Sequence, residues 1–406
     1  MNERIAVLAV VLALEGCGDN VDLDPGNPGP PIAWDCTPGQ EKVTNLRPSD
    51  ASYVYLSGVA VGDFDGDRQL DVAVARTLDG PDIPIMFSVW GSGPSDVLPF
   101  RATNYDVGLD RDGSPVVDDL DRDGLDDMLV VDEQPGRIRV LAGSAARTLT
   151  PLPGFAWPPT ESIVSADVNG DGMPDLVGVT SSSQRLGHVQ VALNQGNGGF
   201  GGVIDSYLDV YVGLYGEHDI GDVDGDGAVD LVAPAVSLGP GVNGVEVMRG
   251  DGTGHFFAHR WYSGNESERS PVAAVLADVD DNGTLDIIVR TYEISVGLLR
   301  GDGAGSFGDM ERFGIAWSPT LAVGDVTGDT KPDLVIGSRG DDAGPGGHLH
   351  VLENVDGAFT TAQRYGASLF WRDAEMADVD DDSHNDLVTV TDGGELIVLR
   401  MECVER

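Results

Sequence analysis

Short apolar runs alternate with acidic turns along this chain, and one form of the alternation dominates. Gly58-Val59-Ala60-Val61 leads into an acidic stretch ending at Asp71, and Val72-Ala73-Val74-Ala75 leads out of it. Runs this short, rich in β-branched residues and bounded by Gly and Asp, predict strands, not helices. The pattern returns seven times, around loops of the form D-x-[DNT]-x-[DN]-x-x-x-D that begin at Asp63, Asp119, Asp167, Asp222, Asp278, Asp325 and Asp378, 47 to 56 residues apart. A second signature follows the loops: an apolar strand, then a Gly-rich hairpin closed by Phe, as in Val191-Ala192-Leu193-Asn194 before Gly196 to Phe200, and Glu246-Val247-Met248 before Gly250 to Phe256. Gly301 to Phe307 and Asp356 to Phe359 repeat it. Strand, acidic loop, strand, connection, strand, hairpin and strand fill one period, which predicts an array or a propeller of four-stranded units.

The loops carry the candidate chemistry. In the fourth copy, Asp222, Asp224, Asp226 and Asp230 occupy positions 1, 3, 5 and 9. With the carbonyl of position 7 they can wrap a hard cation in oxygen. Ca2+ accepts six to eight such ligands in flexible geometry, whereas Mg2+ demands a near-ideal octahedron, so calcium is the expected ion. An EF-hand opens similarly but needs a Glu at position 12 and flanking helices; position 12 here is Ala233 and the flanks are strand-like. The other expected ligand sets are Asp63, Asp65, Asp67 and Asp71; Asp119, Asp121, Asp123 and Asp127; Asp167, Asn169, Asp171 and Asp175; Asp278, Asp280, Asn282 and Asp286; and Asp378, Asp380, Asp382 and Asp386. Glycine at position 6 permits the sharp turn beneath an ion, but Arg68 and Ser383 replace it in the first and seventh copies. The sixth copy keeps Asp325, Asp329 and Asp333 but has Thr327 at position 3, Thr330 at position 6 and Lys331 beside it, so loose binding or none is expected there.

Segments such as Ala60 to Asp67 and Ile220 to Gly227 resemble the FG-GAP and VCBS-like repeats of the integrin α-chain N-terminal domain. The resemblance covers roughly residues 40 to 403 and implies a seven-bladed β-propeller, all-β, with calcium between the first two strands of several blades. The Phe-Gly pairs that name the family survive at Phe200-Gly201 and Phe307-Gly308. A ring needs closing, and two cysteines suggest how. Cys36 and Cys403 each fall where other repeats have the tip of the hairpin between strands three and four. Glu41 to Leu46 is therefore expected to supply the fourth strand of the last blade beside Glu395 to Met401, with a Cys36–Cys403 disulfide in place of the missing turn.

The N-terminus reads as an export signal: Arg4, then ten apolar residues from Ile5 to Leu14, too short to span a bilayer as a helix. Leu14-Glu15-Gly16-Cys17 resembles a bacterial lipobox, which would make residues 1–16 a signal peptide and Cys17 an acylated anchor, although Glu15 is unusual there. Residues 17–35, rich in Pro, Gly and Asp, read as an extended tether, and 36–406 as the propeller. Such a protein belongs in the cell envelope or outside it, where disulfides persist. The formal net charge of −44 disfavours nucleic acid and anionic membrane surfaces, leaving the lipid anchor as the membrane contact of a monomer.

Catalytic signatures are missing: there is no G-x-S-x-G elbow, no H-E-x-x-H and no phosphate-cradling glycine loop. The seven histidines are scattered, and His348-Leu349-His350 has no third ligand in sequence. Arg339-Gly340-Asp341 is a three-residue match to an integrin-recognised tripeptide in a Gly- and Asp-rich chain. Aromatic residues are the better lead. Tyr55, Trp157, Tyr215, Trp317 and Trp371 precede their loops by 7 to 10 residues, which places them on the face opposite the loops of a ring. Flat rings with polar edges suit a sugar or a partner surface. The expected function is thus non-enzymatic binding or adhesion to a protein or glycan; a lectin or glycan-active enzyme on the same scaffold is the alternative.

Overall fold

A computed structural model of the protein describes residues 34–45, 54–78, 86–90, 103–106, 116–132, 137–146, 149–158, 162–181, 187–207, 212–214, 216–237, 243–263, 271–291, 295–314, 320–337, 347–369, 371–391 and 393–405. These residues form β-strands and turns without a helix, so no described helix is long and apolar enough to cross a membrane. The strands assemble into seven antiparallel sheets of four or five strands, each carrying one acidic loop between its first two strands. The third sheet shows the plan: Ser162–Ala166, Asp175–Ser181, Gly187–Ala192 and Ile204–Tyr207 pair in chain order.

Alternation within the strands packs the sheets in succession, because neighbouring side chains leave a strand on opposite faces. In the strand Asp230–Ser237, Leu231 and Ala233 pack against Val177, Val189 and Val191 of the third sheet. Val232, between them, packs against Ala274, Ile287 and Val289 of the fifth. Both faces are buried, which is why the strand reads as a continuous apolar run. Similar clusters join the second sheet to the third, the fifth to the sixth and the sixth to the seventh. The first meets the second through backbone: Asp126 N–H donates to the Asp63 carbonyl at 3.0 Å and Ser144 N–H to that of Phe64 at 2.9 Å. The seventh returns to the first, with Val388, Val390 and Val398 against Val59, Val72 and Val74. Succession and closure make this a β-propeller.

Side chains also seal the seams between sheets. Asp219 accepts a hydrogen bond from Leu276 N–H of the next sheet at 2.9 Å, and Asp373 accepts one from Val59 N–H across the closing seam, also at 2.9 Å. Buried Glu375, two residues on, accepts from Val61 N–H; burial, and then the neighbouring Asp373, hold its carboxyl well above the usual range. The Gly-rich hairpins behave likewise. Phe256 and Phe307 plug the seam to the preceding sheet, and their N–H groups donate to Ser206 Oγ at 3.0 Å and Tyr262 Oη at 3.1 Å.

The seventh sheet combines both ends of the described chain. Trp34–Asn45 pairs with Glu395–Glu405, which follows Trp371–Ala377 and Asp386–Thr391. The register sets Glu41 opposite Leu399 and Asn45 opposite Glu395, as the hairpin spacing predicts, with Cys36 opposite Cys403. Two details correct the sequence reading. The strand begins at Trp34, so Trp34 and Asp35 belong to the sheet and not to the tether. The cysteine pair lies inside a ladder that runs on to Trp34 opposite Glu405, rather than at a turn. Residues 1–33, with the signal, the tether and Cys17, lie outside the described residues, as do Leu46 and the Arg339-Gly340-Asp341 tripeptide.

All seven loops bend through two left-handed residues, at positions 4 and 6. Position 4 was not singled out by sequence; it is Gly66, Gly170, Gly225 and Gly328 in four copies but Arg122, Asp281 and Asp381 in the others. At position 6, Arg68, Thr330 and Ser383 take φ of 68°, 70° and 70°. A β-branched residue is poorly suited to that region. Thr330→Gly is therefore expected to stabilise the protein by about 1 kcal/mol, read as a rise in the urea midpoint.

Candidate functional site

Each acidic loop is built by its own carboxylates. Because position 6 is left-handed, its N–H turns inward and donates to the position 1 carboxylate in all seven copies, at 2.7–3.0 Å. The position 5 side chain accepts from the N–H of position 7, at 2.8–3.0 Å. Position 9 does the most. Asp71 is 2% exposed and Asp127, Asp175, Asp230, Asp286, Asp333 and Asp386 are 0% exposed. Asp230 shows their role: one oxygen accepts from Val223 N–H inside the loop at 3.1 Å and the other from Gly250 N–H at the end of strand three at 2.9 Å. One carboxylate thus ties the loop to the third strand, a function that the ligand pattern alone does not reveal.

Part of the expected donor set converges in at least five of the loops. Carboxylate oxygens of positions 1, 3 and 9 lie within 4.8 Å of one another in Asp63, Asp65 and Asp71, and likewise in Asp119, Asp121 and Asp127; Asp222, Asp224 and Asp230; and Asp278, Asp280 and Asp286. The position 5 carboxylates Asp67, Asp123 and Asp226 stand outside the first three of these groups. The sixth loop differs again, since Asp325, Asp329 and Asp333 converge there and position 5 replaces the Thr327 position. Lys331 does not fill that cluster; its Nζ reaches Asp356 at 3.1 Å. The weakest copy in sequence therefore still gathers three carboxylates.

This donor set suits a hard cation: every convergent atom is a carboxylate oxygen, and Oδ1 of both Asp280 and Asp380 is buried without a hydrogen-bond partner. Three loops carry a built-in counter-charge. Arg249, Arg300 and Arg400 approach Oδ2 of Asp224, Asp280 and Asp380 at 2.5, 2.9 and 3.3 Å. Arg249 also donates to the Ala304 carbonyl and Arg300 to that of Gly357, both in the next sheet's hairpin. Corresponding positions in the second, third and sixth sheets are Ala142, Leu193 and Glu353.

Without a cation the packed carboxylates favour protons. Burial first, and neighbouring aspartates second, push Asp127 and Asp386 up to about 7 and Asp175, Asp230 and Asp333 up to about 6, against the pull of their backbone donors. Groups with raised folded-state values bind protons more tightly folded than unfolded, so they add stability as pH falls from about 7 towards 4. Buried His218 opposes them: burial lowers it to about 4, so the folded state resists a proton that the unfolded state accepts. Five carboxylates outweigh one imidazole. Metal-free protein is accordingly expected to resist urea better at pH 5 than at pH 8; a higher midpoint at pH 8 would contradict this.

The opposite rim is where strand three begins, since Asn194, at its far end, bonds to Asp175 of the loop at 2.7 Å. The nominated aromatics fare unequally there. Trp157 and Trp371 are each 1% exposed and pack in the seams between the second and third and the sixth and seventh sheets. Neither can present a ring to a partner, because the apolar seam claims it. Tyr215, Trp317 and the side chain of Tyr55 lie outside the described residues. Among the described residues, the rim exposes Tyr207, 62% accessible and stacked on His188 at 5.2 Å with 8° between the rings. The signal in sequence was the alternation of polar His188 and Gln190 with apolar Val189 and Val191. His348 and His350 stand 6.2 Å apart, edge to face. Ser162 Oγ is 2.5 Å from His218 Nδ1, and His218 Nε2 is 3.1 Å from the Val177 carbonyl. That carbonyl can only accept, so Nε2 carries the proton, and the one hydroxyl proton of Ser162 is shared between Nδ1 and the Gly216 carbonyl, 3.0 Å from its Oγ. The pair clasps the third sheet to the fourth.

Comparison with known proteins agrees with this architecture. The profile of the FG-GAP-like repeat matches residues 119–178, 167–233 and 222–289. No curated protein sequence matches the chain. Among solved structures, BBS1N in complex with ARL6DN, from a crystal soaked with lead, aligns with a TM-score of 0.55 at 14% identity over 91% of this chain and 98% of that one. The same complex soaked with mercury gives 0.54 and 13% over 90% and 97%. At such identities the likeness concerns the fold. Sheets, loops and profile together identify the chain as a β-propeller in which residues 119–289 match FG-GAP-like repeats.

Proposed function

We propose that this chain is an exported, seven-bladed propeller whose acidic loops hold calcium at one rim and whose other rim binds a protein partner without catalysis. The observation that carries the reading is the division of the ring into two rims: carboxylates converge at one, while the other begins the third strands and exposes Tyr207. Calcium supplies charge neutralisation at the loops and no chemistry. Positions 1, 3 and 9 would hold it, with position 5 in the sixth loop. Protein binding is supported by analogy with the neighbouring propeller, which is seen in complex with a protein. Export rests on the signal-like residues 1–16 and the lipobox-like Cys17, and a Cys36–Cys403 disulfide is consistent with their facing positions in the ladder.

Affinity capture with the calcium-loaded protein from a cell-envelope extract tests this. One partner should be retained, and EDTA should release it. Failure to retain any protein would count against the reading. Release of products from a polysaccharide panel would favour a glycan-active enzyme instead. A glycan as ligand is a second reading, favoured by the stacked Tyr207–His188 pair.

A further inference from the structure

We propose that the face of the third sheet turned towards the second, at the rim opposite the acidic loops, is a binding subsite for a pyranose sugar. It rests on the assignment of that rim as the ligand face. Four side chains make it. His188 and Gln190 alternate along Gly187–Ala192, and Tyr207 and Asp205 stand opposite them on Ile204–Tyr207. All four point to the same face, because residues two apart on a strand share one and directly paired residues do too. Ala192, two further along, packs with Val116, Val140 and Trp157 of the second sheet, which fixes the direction of that face.

The geometry is that of a prepared surface. His188 covers one side of the Tyr207 ring in near-parallel stacking, yet Tyr207 remains 62% exposed, so its other side is open. Asp205 is held in place from below: its Oδ1 accepts from Gln190 Nε2 at 3.1 Å and lies 3.4 Å from His188 Nδ1. Gln190 is 1% exposed, and its Oε1 has no hydrogen-bond partner. A buried amide oxygen left unsatisfied is costly, and a native structure with one calls for a donor.

The chemistry selects the ligand. An open aromatic face takes a flat apolar surface, while the part-exposed Asp205 carboxylate beside it accepts hydrogen bonds and so requires donors. The net charge of −44 and Asp205 itself repel anions. A neutral ring with an apolar C–H face and several hydroxyl donors on its edge meets all three conditions, and a pyranose is such a ring.

Saturation-transfer NMR and calorimetry on the calcium-loaded protein, using methyl glycosides of glucose, galactose, mannose and fucose as probes, test the assignment. At least one glycoside should bind, and Tyr207→Ala and Asp205→Asn should each weaken it by about tenfold. Phe257→Ala, which removes an exposed ring near the loop rim, should leave it unchanged. Unaltered melting curves of the variants exclude misfolding. If no glycoside binds, or if binding survives Tyr207→Ala, the subsite is overturned. Should envelope-partner capture persist in the same Tyr207→Ala protein, the wider reading of the rim stands without it.

Discussion

Stripped of divalent cations by EDTA and desalted, the protein is expected to melt about 10 °C below its calcium-loaded form. A ligand at tenfold its Kd adds about 1.4 kcal/mol per site to the folded state, so four sites contribute about 6 kcal/mol, comparable to the net stability of a domain. For a chain of this size, each kcal/mol moves Tm by about 2 °C. The loops explain why the effect should be large. Three carboxylates converge within 4.8 Å in at least five of them, and metal-free they must share protons or repel. Blades differ in how they manage. Arg249, Arg300 and Arg400 offset position 3 in the fourth, fifth and seventh loops, so these should hold their shape better without the ion and bind it more weakly than the second. Calorimetric titration showing one class of identical sites would argue against that split, and coincident melting curves with and without EDTA would remove calcium from the account.

Asp230→Ala is expected to cost about 3 kcal/mol in metal-free protein, whereas Asp226→Ala, four residues earlier, should cost less than about 1 kcal/mol. The two aspartates look alike in sequence. Asp230, however, is 0% exposed and accepts from two backbone N–H groups in separate segments, Val223 and Gly250. Truncation leaves both donors buried and unpaired. Asp226 is exposed and accepts from Ala228 N–H within its own turn, which water can replace. Relief of crowded charge offsets part of the Asp230 cost, since burial already pushes this carboxyl up to about 6. Urea midpoints for the two variants at pH 7.5, without metal, decide the matter; equal values would show that position 9 is a ligand and nothing more.

The contrast marks what was legible in the sequence. Period, strand type and the pairing of Glu41 to Asn45 with Glu395 to Leu399 followed from spacing and alternation, because every unit repeats the same local rules. The left-handed bend at position 4 was hidden, since Arg122, Asp281 and Asp381 occupy it as well as glycine. Tryptophan misled: a large ring at the entry to an inner strand can face a ligand or a seam, and only packing tells which, as Trp157 and Trp371 show. Tyr207 escaped notice because what distinguishes it is its cross-strand neighbour His188, and a strand read alone does not give its partner. Ties between sheets, such as Asp373 to Val59 N–H over 314 residues of sequence separation, have no local signature at all.

That last separation has a kinetic side. The strand Trp34–Asn45 has no partner until Glu395–Glu405 has been made, and the apolar face formed by Val59, Val72 and Val74 has none until Val388, Val390 and Val398 arrive. Six sheets can pair locally as they emerge, but the ring itself is a single loop-closure event spanning nearly the whole chain. Synthesis therefore passes through an open arc with two unpaired apolar ends, each able to stack on the arc of another molecule. The first strand to appear is thus the last to find its place, and the ring's vulnerability to misassembly is greatest just before it closes.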